Sequence, residues 1–166
     1  GAPAQKGGPN PAAPAAELLG SDGSSLDTIG FRVKDLKASL SKWDAAGIKP
    51  LPGGTATQVY LMNPDKIKVR ITEDKSIATA IAADSVKMVV PNPAEAQAWY
   101  AKVFGAVPGK RGQFETANVP GAEITLAKND AQAPSKGRSV DHIGFEVKNL
   151  DETLKRLDAM GIKPED

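Results

Sequence analysis

The chain has 166 residues with 21 basic and 20 acidic side chains, a net charge of +1, so no electrostatic excess points to nucleic acid or an anionic membrane surface. At 40% hydrophobic and 25% charged it has the composition of an ordinary globular chain, and no apolar run is long enough to cross a bilayer. The balanced charge leaves small molecules or other proteins as the expected partners, and the absence of cysteine excludes disulfides, thiolate nucleophiles and cysteine-ligated metals.

Residues 1–25 are dominated by Ala, Pro, Gly and Ser, with Leu18 and Leu19 as one short apolar pair. Such a segment buries too little surface to offset chain entropy and reads as a tail or linker. Small residues around Ala2 fit either a mature terminus left by a signal peptidase, which favours an exported or periplasmic protein, or a trimmed domain boundary.

From residue 26 onward the chain repeats. Asp27 to Pro50 (DTIGFRVKDLKASLSKWDAAGIKP) and Asp141 to Pro164 (DHIGFEVKNLDETLKRLDAMGIKP) are identical at 14 of 24 positions, and Asp84 opens a third version, DSVKMVVPNPAEAQAWYAKVFGA. The three aspartates are spaced 57 residues apart. Each copy starts with period-two alternation: Ile29, Phe31 and Val33; Val86, Met88 and Val90; Ile143, Phe145 and Val147. This predicts a half-buried strand in each. Asp35, Asn92 and Asn149 are suitable helix N-caps, with Pro93 at the first helical position of the middle copy. Leu36, Leu40 and Trp43, and equally Leu150, Leu154 and Leu157, then form a helical stripe. Trp99, Tyr100, Val103 and Phe104 supply the apolar bulk of the middle helix and read as core in preference to a ligand pocket. Gly47, Gly105 and Gly161 mark the helix ends.

After the first helix QVYLM and KIKVRIT alternate around the turn NPDK, and after the second QFETANV and AEITLAK do so around Pro120 and Gly121. The organisation is thus a tail over 1–25, one βαβββ module over 26–82, a second over 83–138, and the first strand and helix of an incomplete third over 139–166. The third copy implies a longer natural chain, a disordered remainder or completion by another subunit, and its likeness to the first suggests alternating module types with a fourth copy upstream.

These modules resemble those of the vicinal oxygen chelate superfamily, which includes glyoxalase I, bleomycin-resistance proteins and extradiol dioxygenases. VPNPAEAQAWYAKVFGA is the stretch most similar to the family pattern. The resemblance implies an α+β fold in which βαβββ modules pair so that curved mixed sheets surround a cleft. It also implies ligands for a divalent metal (Zn, Ni, Mn or Fe) on the first and last strands of each module. By strand position the first-strand site falls on Thr28, Ser85 and His142, and the last-strand site near Arg70 and Thr125. His142, the only histidine, is thus the candidate metal ligand, with its partner ligands outside the chain. Glu146 shares its strand face but lies four residues on, roughly 13 Å away.

Lys87, Arg70, Glu123 and Ser85 are the candidate ligand-binding residues on the concave face, where Arg32 adds another cation suited to carboxylates. Gly30 and Gly144 are read as easing sheet curvature. Neither a phosphate loop nor a hydrolase triad is legible, and no catalytic residue is assigned. Three functions follow from the resemblance: a metal-dependent lyase or ring-cleaving dioxygenase, a metal-free small-molecule binding protein of the bleomycin-resistance type, and a degenerate module serving assembly. A homodimer is compatible with each.

Overall fold

A computed structural model describes residues 19–163, which form one eight-stranded mixed sheet and three helices. The first module runs β1 (Leu26–Val33), α1 (Leu36–Ala45), β2 (Leu51–Thr55), β3 (Gln58–Met62) and β4 (Lys68–Glu73). The second repeats this as β5 (Ile81–Val90), α2 (Pro93–Phe104), β6 (Val107–Arg111), β7 (Phe114–Val119) and β8 (Ala122–Lys128). In each, the first strand pairs parallel with the last and the remaining strands follow antiparallel. The modules meet through β1 and β5, which pair antiparallel at the centre of the order β2-β3-β4-β1-β5-β8-β7-β6. Because β5 begins at Ile81, the boundary expected between 82 and 83 falls inside a strand.

The helices form where the sequence signals them. The Asp35 carboxylate accepts from the Ala38 N–H at 2.8 Å and Asn92 accepts from Glu95 N–H, each satisfying a donor that the first helical turn leaves free. Pro93 follows as the first residue of α2, and Gly105 ends it in the left-handed conformation at φ 69°. Alternation then fixes the packing. Val33, Leu36, Val59 and Ile71 are buried under α1 with Phe31, Leu40, Trp43, Leu61 and Val69 around them. Under α2 the core is Tyr100, Ala106, Ala117, Ile124 and Leu126. Trp99 corrects the core reading: its side chain is 43% exposed and meets Tyr100 and Phe104 edge-on.

Two further expectations change. Residues 19–25, read as the end of a tail, are built into the fold, because Ser21 and Ser24 supply polar groups the sheet needs. The Ser21 hydroxyl donates to the Asp27 carbonyl at 2.7 Å and accepts from the Lys68 N–H at 2.9 Å, and both serines are fully buried. The rest of the expected tail, including Ala2, lies outside the described residues.

The third copy keeps its helix, α3 (Leu150–Ala159), capped by Asn149, but not its strand. Among the described residues 141–147 pair with no strand. In β1 and β5 the equivalent stretch is held by its own module's last strand and by the neighbouring module, and among the described residues the third copy has neither counterpart. Its alternation is nevertheless used: Ile143 and Phe145 pack on the core of the second module, where Phe145 stacks on Phe104 with ring centres 4.2 Å apart. No residue of α3 is buried, and Leu150 and Leu154 remain exposed.

Candidate functional site

With the helices on one face, the polar residues of the central strands collect on the other. Two register shifts sharpen this. Between Leu26 and Thr28 the extra residue in β1 is Asp27, and between Ser85 and Ala83 the extra residue in β5 is Asp84. An inserted residue re-aims its side chain and increases local twist, so each bulge brings a carboxylate to the helix-free face. The two aspartates stand 57 residues apart, one per module.

Around Asp84 three cations converge. Arg70 Nη2 lies 2.8 Å from its Oδ2, Arg111 grips both oxygens at 2.8 and 2.9 Å, and Arg32 Nε approaches to 3.8 Å. Arg111 also reaches Glu123 at 2.7 Å, Glu123 accepts from the Thr125 hydroxyl at 2.9 Å, and Arg70 meets the Ser85 hydroxyl at 2.5 Å. Around Asp27 the arrangement is simpler: the Thr28 hydroxyl donates at 2.5 Å and Lys87 lies at 3.2 Å. Burial works against ionisation of Asp84, yet the hydrogen bonds and charges of Arg111 and Arg70 outweigh it and hold the carboxyl below the usual carboxylate range. Burial likewise opposes ionisation of Asp27, but Thr28, Lys87 and the Gly23 N–H outweigh it in the same direction. Hydrogen bonding to Asp84 raises the pKa of Arg111. Gly30 sits in the middle of this network. A Cβ there would lie 2.7 Å from Ser85 Oγ and 3.3 Å from Arg70 Nη2, so the glycine makes room for the ion pair.

Of the expected site residues, Arg70, Ser85, Lys87 and Glu123 all lie on this face, and all but Lys87 join the Asp84 network. Asp27, Asp84 and Arg111 were missed. The aspartates had a signal, since each opens a repeat copy, whereas Arg111 sits on an edge strand whose pattern gave none. His142 lies apart: its side chain is 84% exposed and its Nδ1 is 3.2 Å from the Asp141 carboxylate.

The donor set does not fit a divalent metal on the helix-free face of the first two modules. The four family ligand positions hold Thr28, Arg70, Ser85 and Thr125, a guanidinium among three hydroxyls, and a cation site wants ionised or imidazole donors. Among the described residues no group of three or more His, Asp or Glu could hold a metal. Two apolar hollows lie elsewhere. One of about 400 Å³ runs between Val86, Ile124 and the Ile143–Glu146 stretch, and another of about 420 Å³ lies beside Trp99 and Met88.

Two βαβββ modules joined through their first strands, with a charged face opposite the helices, define a paired-module α+β protein of the glyoxalase/bleomycin-resistance fold. A family model for the Glyoxalase/Bleomycin resistance protein/Dioxygenase superfamily matches residues 82–166, the second module and the third copy, and the chain belongs to that superfamily. Among solved structures it is similar to a variant of glyoxalase I from Zea mays (13% identity, TM-score 0.61, 81% of this chain and 53% of that one). It is also similar to a protein from Bacillus subtilis proposed to be a dioxygenase (13% identity, TM-score 0.62, 87% and 54%). A Mn(II)-bound glyoxalase from Novosphingobium aromaticivorans is more distant (18% identity, TM-score 0.44, 83% and 52%). The chain spans about half the length of these proteins. At such identities the likeness shows the fold alone. No curated protein sequence matches the chain. No helix among the described residues is long and apolar enough to cross a membrane.

Proposed function

We propose that residues 26–128 bind a small molecule on the helix-free face between the two modules without a metal, with Lys87, Arg70, Glu123 and Ser85 in contact with it. The observation that carries this reading is the Arg70–Asp84–Arg111–Glu123 network, which puts fixed guanidinium charge where a metal-dependent relative needs anionic or imidazole donors. A homodimer belongs to the same proposal, supported by the exposed Leu150 and Leu154 of α3.

The purified chain is expected to carry no stoichiometric divalent metal by plasma mass spectrometry, and its melting temperature to be unchanged by EDTA. Stoichiometric metal that disappears in His142→Ala would establish the metal-dependent reading in its place. Sedimentation at a single monomer mass across the micromolar range would remove the dimer.

A further inference from the structure

On the first-module side of the same face, three buried donors have no hydrogen-bond acceptor among the described residues: Arg70 Nε, Thr72 Oγ1, and Arg32 Nε, whose 3.8 Å approach to Asp84 is too long for a hydrogen bond. The parallel register of β1 and β4 sets Arg32 beside Thr72, and Arg70 beside Gly30 two residues away on the same face, so all three side chains rise from one patch of sheet. The two guanidinium heads converge as well, because Arg70 and Arg32 both approach the Asp84 carboxylate. Arg70 is the deepest, with 9% of its side chain exposed.

Charge sorts the three guanidinium groups. Arg111 has Glu123 as well as Asp84, and Arg32 has Asp74 at 3.0 Å as well as Asp84, whereas among the described residues Arg70 pairs with one carboxylate, the shared Asp84. An arginine fork pairs best with two coplanar oxygens, and a neighbouring hydroxyl adds a third donor for the same group. Arg32, with 38% of its side chain exposed and its Nη1 turned to Asp74 at the rim, is the member that can shift to admit a ligand.

We propose that Arg70, Arg32 and Thr72 form a subsite for the carboxylate of a small organic acid, with guanidinium in place of metal as the fixed positive charge. The proposal rests on the small-molecule reading above and names the ligand class. Lys87, on β5 and paired with Asp27 at 3.2 Å, remains a contact for the rest of the ligand.

The test is calorimetric titration of the 166-residue chain at fixed ionic strength with benzoate, succinate, the matching amides, and inorganic phosphate. At least one acid is expected to bind, its amide at least tenfold more weakly, and EDTA to change neither. Thr72→Val and Arg32→Gln, at half-buried positions that leave Arg70 and Asp84 paired, are each expected to weaken the acid about tenfold, or about 1.4 kcal/mol. Circular dichroism of both variants checks that they fold. Amides binding as well as acids, or acids binding both variants at wild-type strength, would overturn the carboxylate subsite while leaving the helix-free face as a ligand site. Binding of phosphate but no carboxylate would also overturn it, assigning the donors to an inorganic anion. Binding of none of the probes would overturn the small-molecule reading of this face and the subsite together.

Discussion

Asp84 shows how one inserted residue organises a face of the protein. Its carboxylate is 7% exposed and meets three guanidinium groups drawn from β1, β4 and β6. Removing one partner of such a buried network leaves charge unpaired, so Asp84→Asn is expected to cost about 3 kcal/mol at pH 7 by urea denaturation. The sign of its pH dependence follows from its lowered pKa. Its stabilisation is complete above the unfolded carboxylate value of about 3.9 and disappears as pH falls through the lower folded-state value, as it does for Asp27. The urea midpoint of the wild type should therefore be level from pH 7 to about 5 and fall steeply below about 4, with a shallower fall in Asp84→Asn. Gly30→Ala tests the same network sterically, since its Cβ would lie 2.7 Å from Ser85 Oγ. A loss of about 1–3 kcal/mol is expected. Adding Ser85→Ala should recover part of it, and additive losses in the double-mutant cycle would show that the two positions are uncoupled.

At the scale of elements, the repeat separates what a helix sequence specifies from what packing supplies. Leu36 of α1 and Leu150 of α3 occupy the same position in two copies that share most of their residues, yet Leu36 is 2% exposed and Leu150 is 62% exposed. Leu36→Ala is expected to cost about 3 kcal/mol, because it opens a cavity among Val33, Val59 and Ile71. Leu150→Ala should stay within about 0.5 kcal/mol. Equal losses at the two sites would mean that α3 is covered as α1 is. Capping, by contrast, is local and serves all three helices alike: Asp35, Asn92 and Asn149 each accept from the N–H three residues on.

For the molecule as a whole, the antiparallel pairing of β1 with β5 makes the two complete modules one sheet, so they are expected to unfold in a single urea transition. Residues 141–147, which have no ladder, should exchange their amide hydrogens far faster than β1 and β5, as hydrogen-exchange mass spectrometry would measure. Protection equal to that of β1 would mean that the third copy finds a strand partner in solution. The family match over 82–166 spans the second module and this third copy, so the likeness lies in the sequence unit even where the strand is not formed.

The sequence by itself determined the repeat, the βαβββ order, the helix caps and the inward-facing residues of each strand. These follow from short-range rules: period two for strands, period 3.6 for helices, and capping chemistry within one turn. It also placed Arg70, Ser85, Lys87 and Glu123 on one face, because alternation fixes sidedness. Only the tertiary structure decided that β1 and β5 pair with a bulge in each, that Arg111 reaches Asp84 from another element, and that residues 141–147 stay unpaired. Register and ladder formation depend on a second strand distant in sequence, and no local pattern encodes which partner is within reach. His142 is the clearest case. The repeat sets it at the position of Thr28 and Ser85, which are buried, yet with no pairing strand among the described residues its side chain is 84% exposed.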